Sequence, residues 1–374
     1  MAASETYSPG LEGVIAGETS ISTVEGGLRY RGYPVSQLAE HCSFEEVAYL
    51  LVFGELPTAA ELKNYSAELV AARNLPDALV TLQKSLPAGV SPMDAVRTAV
   101  SVLAHFDPEC EDESAAAMRR MTTRMLGSIP LAVASQFHAS RKTALPPVRK
   151  DLGHAAHFLY LIHGKEASPE DVKAFDVSLI LYAEHEFNAS TFAARVVTST
   201  EADLYSAIVA AIGALKGKLH GGANERVMEV LEAAGGPDTA EKWLRDALAK
   251  KVRIMGFGHR VYKAGDVRAG ILKTYAAAAA QRAGLTKWED AAAIFENIIG
   301  SEKNLYPNLD WPAGRLYNAL GLAIPVYTPI FVMSRVSGWA AHVIEQRSAN
   351  RLIRPRGLYN GPGERAVKPL AQRE

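Results

Sequence analysis

Three histidines, one aspartate and three arginines stand in apolar or glycine-rich stretches rather than among other charges, where a reactive group has to be if it is to escape water. His185 lies in the apolar run from Ile180 to Ala194, where helical spacing predicts that His185, Asn188 and Phe192 share one face. His220 sits in Lys218-Leu219-His220-Gly221-Gly222-Ala223-Asn224-Glu225, just ahead of an expected helix start. His259 falls between Gly258 and Arg260 in a loop punctuated by glycine. Asp310 sits in Pro307-Asn308-Leu309-Asp310-Trp311-Pro312, where apolar neighbours would raise its pKa on burial. Arg268, Arg335 and Arg354 complete the set. Each residue alone has an ordinary explanation: a structural histidine, a turn, a helix cap, a surface charge. Their combination, with these neighbours, carries the argument.

Other chemistries fail on spacing. Gly256-Phe257-Gly258-His259-Arg260-Val261 begins like a dinucleotide fingerprint, but Val261 stands where the third glycine belongs and no βαβ pattern surrounds it. His185-Glu186-Phe187-Asn188-Ala189 starts like a zinc-protease helix and lacks the second histidine. No P-loop or G-x-S-x-G elbow is present. The two cysteines, Cys42 and Cys110, have neither redox nor metal-ligand spacing, which fits reduced thiols in a cytoplasmic protein.

The elements that must position these residues read as helices almost throughout. The exception is Gly10 to Pro34, where short strands with a turn at Glu25-Gly26-Gly27 are expected. Helix starts are expected at Ser91-Pro92, Ser168-Pro169, Thr200-Glu201-Ala202-Asp203 and Thr328-Pro329. Asp107 to Glu113, with five acids, and Ser140 to Asp151 read as solvated connections. The 374 residues, 48% hydrophobic, are enough for two domains. Glycine and proline breaks place a smaller one at residues 221–326, between the halves of a larger one at 1–220 and 327–374. Forty basic against 41 acidic residues give a net charge of -1, which offers nucleic acid nothing, and no uncharged 18-residue apolar stretch offers a membrane span. Met1 to Gly10 shows no basic segment followed by an apolar run, so no secretory signal is expected.

Five ordered motifs then resemble one family, the citrate synthases, in its short prokaryotic form. They are Glu184-His185-Glu186-Phe187-Asn188-Ala189-Ser190-Thr191-Phe192, Leu219-His220-Gly221-Gly222-Ala223-Asn224-Glu225, Met255-Gly256-Phe257-Gly258-His259-Arg260-Val261-Tyr262, Pro307-Asn308-Leu309-Asp310 and Arg351-Leu352-Ile353-Arg354-Pro355-Arg356. Tyr30-Arg31-Gly32-Tyr33-Pro34 and Gly54-Glu55-Leu56-Pro57-Thr58 also match, so the resemblance spans nearly the whole chain. It implies an all-α, citrate-synthase-like fold of two helical domains with short β segments near the N-terminus.

It also implies roles. Asp310 would be the base that deprotonates the acyl thioester, and His220 would hydrogen-bond the thioester oxygen as the enol forms. His259 would polarise and protonate the oxaloacetate carbonyl. Arg268, Arg335 and Arg354 match carboxylate-binding positions, with His185 as a further contact. Guanidinium suits them because it binds a carboxylate through two parallel hydrogen bonds, which lysine cannot copy. Arg354 would come from a partner subunit, which implies a homodimer. The backbone of Gly256, Phe257 and Gly258 would hold the adenine of CoA, with Lys263 and Lys303 near its phosphates, although Lys263 stands where many of the family carry arginine. No metal and no cofactor beyond the CoA thioester is implied.

The expected reaction is condensation of acetyl-CoA with oxaloacetate to citrate. Glu184-His185-Glu186-Phe187 and Gly338-Trp339-Ala340-Ala341-His342 resemble 2-methylcitrate synthases, which use propionyl-CoA, whereas Arg354-Pro355-Arg356 looks more like citrate synthases. A non-catalytic CoA sensor or scaffold is the reading from another class; loss of a catalytic group would mark it, and His220, His259 and Asp310 are all present.

Overall fold

Ser, Thr, Asp and Asn side chains open many of the helices, by accepting the backbone N–H groups that a first turn leaves unpaired. The computed structural model describes residues 7–87, 89–258 and 265–373. Its first helices are α1 (Val35–His41), α2 (Phe44–Phe53), α3 (Ala59–Ala71), α4 (Asp77–Ser85), α5 (Pro92–Ala104), α6 (Ala115–Arg141), α7 (His154–His163) and α8 (Pro169–Tyr182). They are followed by α9 (Ala189–Thr198), α10 (Leu204–Leu215), α11 (Ala223–Ala234), α12 (Pro237–Ala249), α13 (Val267–Ala283), α14 (Lys287–Lys303), α15 (Asp310–Ala319) and α16 (Tyr327–Ser348). Ser43 and Thr58 close reciprocal capping boxes with Glu46 and Glu61, and Ser168 caps α8 through Asp171 N at 3.1 Å. Ser91 stands at its expected cap position, but its side chain makes no cap bond.

Two expected starts move. Asp203, not Thr200, caps α10, accepting from Ser206 N at 2.9 Å. The Thr200 hydroxyl is already bonded to Val197 O, three residues back. The last long helix begins at Tyr327, one residue before Thr328.

One antiparallel sheet precedes the helices: β1 (Ser22–Thr23), β2 (Arg29–Tyr30) and β3 (Tyr33–Pro34), with Ser22 opposite Tyr30 and Tyr30 opposite Tyr33. It serves the interior rather than an edge. The Tyr30 hydroxyl donates to Glu184 O at 2.9 Å and the Ser22 hydroxyl to Glu184 Oε1 at 3.0 Å.

The centre of the molecule is α16. Every residue from Tyr327 to Val343 is buried, the mark of a helix enclosed on all sides. It packs against α2, α6, α8, α9 and α10. Helices α11 to α15 pack on one another and meet α1, α8 and α16, so Asp310, at the start of α15, faces the end of α8.

The acid-rich connection is not wholly solvated. Asp107 turns inward, its carboxylate taking hydrogen bonds at 2.7 Å from Arg124 Nε and Nη2 and one at 2.6 Å from the Tyr205 hydroxyl. Among the described residues, no helix is long and apolar enough to cross a membrane, and no group of three or more His, Cys, Asp or Glu side chains could hold a metal ion.

Candidate active site

The stretch from Ile180 to Ala194 is not one helix. Helix α8 ends at Tyr182, Glu186 takes a left-handed backbone (φ 52°), and α9 begins at Ala189. Asn188 is the reason for the restart, since its Oδ1 accepts from Ser190 N and Thr191 N, both at 3.1 Å. His185, Asn188 and Phe192 therefore do not share a helical face; His185 is buried in the turn between two helices.

That turn is braced from below. Glu184 is fully buried, and its Oε1 takes the Ser22 hydroxyl and His342 Nε2 at 2.9 Å. Arg195 Nε donates to His342 Nδ1 at 2.9 Å, so the ring proton sits on Nε2 and points at Glu184. Arg195 also pairs with Glu345 and lies 4.5 Å over the Phe187 ring. Burial alone would raise the Glu184 pKa, but His342, Arg335 and Ser22 outweigh it and hold the carboxyl below its ordinary value.

Gly338 lets α16 approach this turn. A Cβ there would lie 2.3 Å from both Ala183 O and Glu184 Oε2. Alanine is the better helix former by about 1 kcal/mol, yet the neighbours here are a backbone carbonyl and a fully buried carboxylate, so the clash decides. Gly338→Ala is expected to lower stability by about 1–3 kcal/mol or more, read as a lower midpoint in denaturant unfolding. A variant as stable as the parent would refute the close approach.

His220 follows α10 in a turn that only glycine permits next door: a Cβ on Gly221 would meet Leu215 O at 2.3 Å. Its Nε2 is 2.8 Å from Ser190 Oγ and 3.3 Å from Ser190 N. A backbone N–H can only donate, which makes Nε2 the acceptor and puts the ring proton on Nδ1, away from Ser190. Trp339 Nε1 donates to the same Ser190 Oγ at 3.1 Å. Burial, helped by Arg335, pushes His220 down to about 4. The ring is neutral at physiological pH, with one N–H to give.

Asp310 begins α15. Its Oδ1 accepts the Tyr182 hydroxyl at 2.7 Å, and its N–H donates to Asn308 Oδ1 at 3.1 Å. Burial raises it to about 6, against the lowering pull of Tyr182, Arg268 and Arg335. That places a carboxylate base close to neutrality. Arg268 is clamped by Asp266 (Nε–Oδ1 3.0 Å, Nη2–Oδ2 2.9 Å), and Asp266 Oδ2 also takes Leu309 N at 3.1 Å. The guanidinium is thereby tied to the backbone just before Asp310. Arg335 is buried in α16, its Nε donating to Tyr182 O at 2.6 Å and its guanidinium 4.6 Å from the Phe331 ring centre. His220, Asp310, Arg268 and Arg335 thus come together, with His185 one short turn away.

The remaining expected residues divide. Gly256, Phe257 and Gly258 pair with residues 306–308: Gly258 N donates to Tyr306 O at 2.8 Å, Asn308 N to Gly256 O at 2.9 Å, and Asn308 Nδ2 to Gly258 O at 3.0 Å. This ladder carries the loop that presents Asp310. Gly256 adopts φ +87°, and a Cβ there would lie 2.9 Å from the Trp311 ring. Lys303 ends α14 and is exposed; Arg354 is exposed in the extended stretch after α16. Neither is brought to the cluster within one chain. His259 and Lys263 lie outside the described residues.

Sequence reasoning missed Tyr182, Ser190 and the Glu184–His342–Arg195 brace. Ser190 and His342 lay inside quoted motifs; Tyr182 carried no signal, being one more residue of an apolar helix.

The comparisons with known proteins agree with this geometry. A family model described as citrate synthase, C-terminal domain, matches residues 10–356. A 2-methylcitrate synthase from Mycobacterium tuberculosis (strain ATCC 25618 / H37Rv) is 47% identical over 367 residues, covering 96% of this chain and 91% of the relative. Citrate synthase 2 from Bacillus subtilis (strain 168) is 45% identical over 372 residues, covering 98% of this chain and 100% of the relative. Among solved structures, the citrate synthase from Thermoplasma acidophilum, in a ternary complex with carboxymethyl coenzyme A and oxaloacetate, superposes with a TM-score of 0.93 at 35% identity over 98% of this chain and 100% of that one. The expected all-α, two-domain helical fold with short N-terminal strands is therefore the observed one, and the chain belongs to the citrate synthase family.

Proposed function

We propose that the chain joins an acyl-CoA to oxaloacetate, with acetyl-CoA as the substrate that gives citrate. The observation that supports this most directly is the convergence of a half-buried carboxylate raised to about 6, a neutral histidine and two buried arginines in one cluster. A thioester methyl is weakly acidic, so its proton is removed only by an oriented base working with a donor that stabilises the enol oxygen. Asp310 is the base and the His220 Nδ1–H the donor. The enol carbon then attacks the oxaloacetate carbonyl, whose oxygen takes a proton, the step the family resemblance gives to His259. Water finally cleaves the thioester, so acetyl-CoA, oxaloacetate and water become citrate and CoA. Arg268, Arg335 and His185 hold the dicarboxylate, with Arg354 supplied by the second subunit of a homodimer. Residues 221–326, as a smaller domain bearing Asp310 and His259, bring CoA through Gly256, Phe257, Gly258, Lys263 and Lys303 to the larger domain. The reaction runs in the cytoplasm, without metal or other cofactor.

The second reading, 2-methylcitrate synthase, is favoured by relatives of that name at 47% and 45% identity, next to citrate synthases at 45%. One methylene in an apolar pocket is worth only about 1–3 kcal/mol of discrimination. Thiol release from acetyl-CoA and from propionyl-CoA, each with oxaloacetate, decides between them by the ratio of kcat/KM. A ratio favouring acetyl-CoA by about 10-fold or more is expected; the reverse ratio moves the chain to the second reading. Release from neither thioester would overturn both and return the scaffold reading.

A further inference from the structure

We propose that Tyr182 is a positioning residue for proton removal: its hydroxyl holds Oδ1 of Asp310 and leaves Oδ2 as the atom that takes the substrate proton. The inference rests on Asp310 being the base. Tyr182 is itself held on several sides. It is buried in the last turn of α8, its ring lies 4.3 Å from that of Phe331, and its carbonyl is held by Arg335 Nε at 2.6 Å. A phenol has one proton to give, and at 2.7 Å it goes to Asp310 Oδ1. The two carboxylate oxygens are thereby made unequal. The oxygen that accepts the phenol proton is the weaker base, and the carboxyl group can no longer rotate. Among the described residues, Oδ1 takes that hydrogen bond and Oδ2 takes none.

The other groups around Asp310 do different work. On α13 and its cap, Arg268 and Asp266 neutralise each other at 2.9 Å. On α16, Arg335 reaches Asp310 by charge alone while its Nε is bonded to Tyr182 O. On α11, Glu225 is bonded to Thr328. On α15 itself, the second buried phenol, Tyr317, is bonded to Ser178 Oγ at 3.2 Å. Tyr182 is therefore the only one of these groups with a hydrogen bond to the carboxylate.

The test is the pH dependence of kcat/KM, measured by thiol release, in Tyr182→Phe and Tyr317→Phe. The Asp310 base works ionised, so activity falls as pH drops through its pKa. Removing a donor to the carboxylate raises that pKa, so the acid limb of Tyr182→Phe should move to higher pH. Its kcat should fall about 10- to 100-fold, with KM for both substrates little changed. Tyr317→Phe removes an equally buried phenol that does not touch Asp310, and should keep the parental limb. Site-specific 3-fluorotyrosine at position 182 keeps the ring and strengthens the donor. It should move the limb to lower pH, a sign that a packing defect would not produce. An unmoved limb in Tyr182→Phe and in the fluorinated protein overturns the proposal with Asp310 still standing as base. Full turnover in Asp310→Asn would instead remove the base, and the proposal with it.

Discussion

Replacing Asp310 with asparagine is expected to lower kcat by about 10³- to 10⁴-fold and at the same time to make the protein more stable above pH 7. The first effect follows from losing the one group that, among the described residues of the cluster, titrates near neutrality. The second follows from linkage. Asp310 titrates at about 6 in the folded chain and near 4 in an unfolded one. A folded pKa above the unfolded value means that the stabilising contribution is complete below about pH 4 and lost as pH rises through about 6. At neutral pH the native protein therefore carries an ionised carboxylate that is partly withdrawn from water, at a cost on the order of 3 kcal/mol. Asparagine is neutral at every pH and still accepts the Tyr182 hydroxyl through Oδ1. Thermal unfolding at pH 8 should show a higher midpoint for the variant, with the difference closing below pH 4. A variant that loses activity without that pH-dependent gain would mean that Asp310 is not an anion with a raised pKa. One that keeps its activity would mean that it is not the base.

Arg335→Lys is the other large effect. The arginine is buried and fully ordered by its neighbours: Nε is held by Tyr182 O, Phe331 lies 4.6 Å from the guanidinium, and Glu184 supports its charge. Burial lowers its pKa to about 10, which leaves it cationic at any physiological pH. Lysine keeps the charge, and so spares Glu184 an unpaired environment, but it loses the planar fork. KM for oxaloacetate should rise on the order of 10²-fold, because truncating one partner of a buried charged pair costs about 2–5 kcal/mol. KM for the acyl-CoA should change little. Kinetics with each substrate varied in turn separate the two. An unchanged oxaloacetate KM would assign Arg335 to structure alone.

Much of this was legible in the chain because the relevant physics is local. Ser168 caps α8 as its hydroxyl requires, and Asp310 is flanked by Leu309 and Trp311, both buried, so its raised pKa could be anticipated from its neighbours. The His185 turn was not legible. Apolar residues continue on both sides of it, and periodicity cannot foresee that the Asn188 carbonyl will capture two N–H groups and restart the helix. Tyr182 was hidden for another reason: its partner lies 128 residues away, and nothing in a run of buried aliphatics distinguishes a phenol with a task from one that merely packs. Arg354 is exposed in a single chain, and the role proposed for it would require a second copy.

The close approach at Gly338 has a mechanical consequence. With no Cβ, α16 lies directly on the carbonyl of Ala183 and the carboxylate of Glu184. Arg335, one turn earlier on α16, and His185, the next residue along the turn, are therefore fastened to one rigid body. The two cannot close on one another like jaws; they form a fixed anvil. Under the function proposed above, any closure would fall to the helices that carry Arg268 and Asp310, and it would load the Tyr182–Asp310 hydrogen bond.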